Sequence, residues 1–182
     1  MAKAEGIGQP RLRRPGGLPG GKFWAPVVGG LMAAVVATGA VAAQSCIRSE
    51  EKLSIEVRAL QTELMVAALS CNASHEYNNF VLRFRPVLTR HGKTLTQYFD
   101  RLYGSAAERE VTRYVTGLAN RSSLQSVADL NKFCDTTLDT LRTVNGVAPA
   151  DFDAFAFTRQ SSLGPDLGPE SRAMPCSLAR NG

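Results

Sequence analysis

At 182 residues the chain has room for one domain with its own core, but not for two once a leader and a tail are set aside. The formal net charge is +5, yet positions 1–43 hold five basic residues against Glu5 alone, which leaves sixteen basic and fifteen acidic residues beyond them. A body this close to neutral lacks the positive patch that nucleic-acid binding requires of a folded domain, so that class is excluded.

From Phe23 to Ser45 there are 23 residues without a charge, behind the basic stretch RLRRPGGLPGGK. A basic n-region, an apolar h-region and the small-residue end Val41-Ala42-Ala43 are the three parts of a secretory signal peptide, with cleavage expected near Ala43. The segment also reaches the roughly 20 apolar residues that cross a bilayer, so a retained signal anchor in residues 23–45 is the alternative. Its Ala, Gly and Val composition gives it only a modest drive to stay in hydrocarbon. In both cases the rest of the chain is expected outside the cytoplasm, periplasmic or extracellular, or anchored to the inner membrane with a cytoplasmic N-terminus. Gln44, two positions before Cys46, does not fit a lipidation signal, and Arg13-Arg14 followed by Pro-Gly-Gly does not fit a twin-arginine one.

All four cysteines, Cys46, Cys71, Cys134 and Cys176, lie beyond the leader. An even count in an exported chain predicts disulfides, with three connectivities possible on paper. Cys71 with Cys134 is the preferred pair, because both sit in strongly patterned helical segments. Cys46 with Cys176 would then tie the flanks.

The body is expected to be all-α: an irregular bundle of about four helices over residues 44–146, with a kinked, aromatic-rich central helix. In the first, SEEKLSIEVRALQTELMVAALSC, apolar residues recur at Leu53, Val57, Leu60, Leu64, Ala67 and Cys71, the 4, 3, 4, 3, 4 spacing of a helix packing along a seam. Ser49 is the expected N-cap, with Glu50 and Glu51 in the first turn. Three heptads are too few for an oligomeric coiled coil, so packing on the chain's own later helices is expected.

Next comes Cys71 to Tyr103, which holds six of the thirteen aromatic residues. Tyr77, Phe80, Val81, Phe84 and Leu88 share one helical face, and Leu95, Tyr98, Phe99 and Leu102 resume the pattern. Pro86 between them predicts a kink or a new helical start at Arg85. Gly104 is the expected C-cap. Ser105-Ala-Ala-Glu108 reads as a capping box opening a helix with Val111, Tyr114, Val115 and Leu118, which ends near Asn120 at the polar joint RSSLQS. The last helix starts within Ser126 to Asp129, carries Leu130, Phe133, Cys134, Leu138, Leu141 and Val144, and stops at Asn145-Gly146. Residues 147–182, rich in Pro and Gly, are expected to form a flexible tail, apart from DFDAFAF, where Phe152, Phe155 and Phe157 suit a helical turn docking on the bundle.

The chain offers little chemistry. Its two histidines are His75 and His91. HEYNN has Asn79 where a zinc-protease helix needs its second histidine, and Cys71 with His75 finds no further ligands, so no metal is expected. CxxCH and glycine-rich phosphate loops are absent, and no Ser, His and Asp spacing rises above chance, so no cofactor and no catalytic residue is assigned. The sequons Asn72-Ala-Ser74 and Asn120-Arg-Ser122 are set aside as chance tripeptides. The one basic cluster in the body, Arg83, Arg85, Arg90, His91 and Lys93, is either a solvated helix face or a patch for an acidic partner or anionic lipid. The leading functional expectation is an exported, non-catalytic interaction or accessory module with an envelope protein partner, with Arg83, Arg85, Arg90 and Lys93 as the candidate patch. An apolar-ligand or lipid carrier lined by the aromatic face is the alternative, and an envelope hydrolase using Glu76 or Glu108 is the third.

Overall fold

A computed structural model of the protein describes residues 46–159, 175 and 176. The expected leader 1–43, the apolar stretch 23–45 and most of the expected tail beyond 159 lie outside the described residues. Four long helices follow one another: α1 Ser49–Ser70, α2 Ser74–Tyr103, α3 Ala107–Ala128 and α4 Leu130–Gly146. A seven-residue α5, Phe152–Thr158, comes last, and 3₁₀ turns occupy Gly104–Ala106 and Pro149–Asp151. Among the described residues there is no strand, only an isolated bridge between Ile47 and Pro175. The architecture is therefore the expected all-α, disulfide-stabilised bundle. Among the described residues no helix is long and apolar enough to cross a membrane.

The helix that the others surround is α1. Its seam is buried at Val57, Leu60, Leu64 and Ala67, and so are Ile55, Ala59, Val66 and Ala68 on its other sides. A helix buried nearly all round packs against several partners at once, and α1 meets α2, α3, α4 and α5. This is packing within one chain, as expected. Its start differs from expectation, because Arg48, not Ser49, is the N-cap residue, and its backbone N–H donates to Glu51 Oε2 at 2.8 Å. Glu51 is only 3% exposed and also accepts from Arg101 Nη2 at 2.6 Å, so this first-turn acid ties α1 to the end of α2. Arg101 donates as well to the Cys46 carbonyl, at 3.1 Å.

α2 runs unbroken through Pro86 for 30 residues, so the new helical start does not occur. Proline removes the bond to the carbonyl of residue 82, four positions earlier. Both Pro86 and Leu82 are exposed, so water can satisfy that carbonyl while the opposite face stays packed. That face is built as its spacing predicts. Phe80, Phe84 and Leu88 join Val57, Leu60, Leu64, Leu141 and Val144 in one core cluster. Leu95, Tyr98 and Phe99 join Ile55, Ala59, Tyr114 and Leu118 in a second. Gly104 ends the helix at φ +52°, a backbone conformation that glycine adopts without penalty.

The capping box at Ser105 does not form. The chain leaves α2 through a 3₁₀ turn that takes up Ser105, and α3 begins behind Ala106 without a side-chain cap. α3 also does not stop near Asn120. The joint RSSLQS contains no Gly or Pro, and it continues the buried stripe Tyr114, Leu118, Ser122, Ser126 at four-residue steps. Ser122 is 0% exposed and its hydroxyl has no hydrogen-bond partner among the described residues. Burying an unpaired hydroxyl is unfavourable, so Ser122→Ala is expected to raise stability by about 1 kcal/mol, read as a higher urea midpoint. A lower midpoint would show that Ser122 bonds in solution.

Asp129 caps α4, its Oδ1 accepting from the Lys132 backbone N–H at 3.0 Å. Phe133, Leu141 and Val144 are buried as expected, but Leu130 at the first turn is exposed. Past residue 146, the stretch expected to dock does so. Pro149 to Thr158 is helical, Phe152 and Ala156 are buried in the first core cluster, and Phe155 packs against it. Of the three phenylalanines expected to dock, Phe157 instead points outward, 66% exposed.

Both preferred disulfides are present. Cys71 and Cys134 pair with a Cα–Cα distance of 5.7 Å, beside Val66, Ala67 and Phe133. Cys46 and Cys176 pair at 4.8 Å, next to the hydrogen bond from the Cys176 backbone N–H to the Ile47 carbonyl. Two disulfides among four cysteines fit an oxidising compartment.

Candidate functional site

The residues that first invite a chemical reading are engaged in the fold. All four thiols are in disulfides. His75 lies on the exposed side of α2, with Nε2 3.3 Å from Asn79 Nδ2. His91 is buried, with Nδ1 2.9 Å from Ser54 Oγ and Nε2 2.9 Å from Asp153 Oδ1. This Ser, His and Asp contact was not visible in the sequence, because the three residues sit 37 and 62 positions apart on α1, α2 and α5.

It is not a nucleophile assembly. Ser54 is 1% exposed, and its hydroxyl is also within 2.8 Å of the Glu50 carbonyl, one turn back on α1. The ring is turned the other way from that of a serine hydrolase, with serine on Nδ1 and the carboxylate on Nε2. At that burial the Ser54 hydroxyl is closed off from solvent. What the contact does is hold α5 against α1 and α2, with Arg90 adding a 2.6 Å ion pair to Asp153 Oδ2. Among the described residues no group of three or more His, Cys, Asp or Glu could hold a metal ion.

The aromatic face of α2 fills the core. Phe84 stacks against Phe152 at a centroid distance of 4.7 Å, Phe80 against Phe84 at 5.5 Å, and Phe99 against Tyr114 at 5.7 Å. Tyr77 is the partly buried member of the row. Burial pushes its phenol above the ordinary value of 10.0, opposed by a hydrogen bond with Gln61 and by the charge of Arg58.

The basic cluster Arg83, Arg85, Arg90 and Lys93 separates into two stripes on α2, because a helix turns about 100° per residue. Arg83 donates through Nε and Nη2 to the Val147 carbonyl at 3.3 and 3.1 Å, and its guanidinium sits 5.9 Å from the Phe84 ring centroid. It lines a surface groove of about 560 Å³ with Asn79, Leu82 and Asn145. Arg90 is bound to Asp153. These two cations hold the chain after α4 in place.

Arg85 and Lys93 lie on the other stripe, exposed and without an ion pair among the described residues. There α1 contributes a cation that the sequence did not single out. Arg58, half-buried, joins Thr89, Gly92, Lys93, Thr96 and Gln97 around a groove of about 490 Å³. Gly92, in the middle of α2, lies at the crossing. It lacks a side chain where Arg58 crosses, and a Cβ built on it would lie 3.6 Å from Arg58 Nη2.

Compared with protein-family models, with curated proteins and with solved structures, the chain matches none.

Proposed function

We propose that this protein is an exported, non-catalytic helical interaction or accessory module of the cell envelope, presenting the Arg58, Arg85 and Lys93 face to a partner. The observation that carries this reading is the division of the basic cluster: two of its arginines fasten the fold, while exposed Arg85 and Lys93 share the α1–α2 surface with the half-buried Arg58. Export is supported by the sequence pattern of the N-terminal segment and by two disulfides. The engagement of every thiol and of His91 in structural contacts supports a role that does not depend on turnover.

Site-specific photo-crosslinking tests the reading. A crosslinking side chain at Arg85 of the full-length protein is expected to capture a discrete partner in the exporting cell, and the same group at exposed Lys132 on α4 is not. Equal adducts from both positions, or none from Arg85, would overturn it.

A further inference from the structure

We infer that the groove between α1 and α2 is a binding site for a phosphate-class oxyanion, the ligand chemistry of the interaction face proposed above, on which this inference rests. Electrostatics is the first argument. The lining residues are Arg58, Thr89, Gly92, Lys93, Thr96 and Gln97, two cations and no carboxylate. Arg85 stands one turn before Thr89 on the same stripe and adds a third positive charge at the edge.

Donor supply is the second. Arg58, which lines the groove, directs Nη1 to Gln61 Oε1 at 3.3 Å and sets Nη2, with two further N–H donors, beside Gly92. Lys93 carries three donors on a flexible stem, and Thr89 and Gln97 add a hydroxyl and an amide. Thr96 is different, since its hydroxyl donates to the Gly92 carbonyl at 3.1 Å and so offers the groove only an oxygen. Residues 89, 93 and 97 are one turn apart each, so Thr89 and Gln97 flank Lys93 by about 6 Å on either side along the helix. A guanidinium fork, a mobile ammonium and neutral donors at different heights suit a tetrahedral oxyanion approached from several sides better than a single planar carboxylate.

Space is the third. Gly92 puts no side chain into the groove, and the guanidinium lies close beside it, where even a Cβ would meet Arg58 Nη2 in ordinary contact at 3.6 Å. Arg83, on the other stripe, serves as the control, because its guanidinium is already bound to the Val147 carbonyl.

The phosphoryl group has two possible sources, a lipid headgroup or a soluble phosphate, and the test separates them. Full-length protein is titrated calorimetrically with inorganic phosphate, and its binding is compared on vesicles of phosphatidylcholine with and without phosphatidylglycerol. The expected result is saturable binding in at least one arm, weakened tenfold or more in Arg58→Gln/Lys93→Gln, unchanged in Arg83→Gln, and falling as salt rises. Binding in the phosphate arm alone identifies a soluble ligand, and a phosphatidylglycerol-dependent gain alone identifies a headgroup. Since the leader itself can adhere to lipid, only the gain from phosphatidylglycerol counts. Matched thermal melts of the variants exclude misfolding. No binding in either arm, or equal binding by the double variant, overturns the inference. A persisting Arg85 crosslink would then leave the interaction face standing with a different chemistry.

Discussion

Replacing Phe152 by alanine is expected to destabilise the bundle by about 3–5 kcal/mol, the range for deleting a fully buried phenylalanine. Phe152 is 0% exposed and its ring lies 4.7 Å from that of Phe84 and 6.2 Å from that of Phe80, so truncation opens a cavity between α2 and α5. At this chain length each kcal/mol shifts the melting temperature by roughly 2–4 °C, so a fall of about 6–20 °C is predicted. Phe157→Ala, five residues on and facing solvent, should stay within about 0.5 kcal/mol of the parent. The pair separates docking of α5 from mere tail composition. Equal melting temperatures for the two variants would mean that α5 does not dock in solution.

The second large effect is expected from Cys71→Ala/Cys134→Ala. This disulfide closes a 63-residue separation, for which the chain-entropy model gives about 4 kcal/mol of stabilisation through the unfolded state. It also lies against Val66, Ala67 and Phe133, so some apolar packing goes with it. A loss of about 3–5 kcal/mol, measured by urea denaturation of the double variant, is the predicted outcome. Peptide mapping without reductant should yield Cys71 joined to Cys134 and Cys46 joined to Cys176. Alkylation of Cys71 in the unreduced protein would contradict the pairing.

Much of this fold was legible because its helices are amphipathic. The seam of α1 and the aromatic row of α2 each place large apolar side chains at 3- and 4-residue steps, and burial of those faces is the dominant force available to a chain of this length. The disulfide pairing followed from the same patterns, since Cys71 and Cys134 each extend an apolar stripe. Where the stripe changed chemistry, it became invisible. Ser122 and Ser126 continue the buried face of α3 with small polar residues, so a helix of 22 residues read as one ending near Asn120. Capping failed at Ser105 for a related reason: the motif is local, but the turn that absorbed it is set by how α2 and α3 pack.

The candidate groove was legible only in part. Lys93 and Arg85 stood in the sequence as members of a basic cluster, and nothing local distinguished them from Arg83 and Arg90. Their separation depends on partners about 60 residues away, the Val147 carbonyl and Asp153. Arg58 carried no signal until the α1–α2 hairpin brought it over Gly92.

The sequence by itself determined the all-α class and favoured the pairs Cys71–Cys134 and Cys46–Cys176 among three connectivities, because periodicity and cysteine placement are properties of short segments. Only the tertiary structure decided that Pro86 leaves α2 unbroken, that Phe152 completes the core, and which cations remain on the α1–α2 face. Each of those outcomes depends on what lies opposite a side chain in space, and helices distant in the chain provide it.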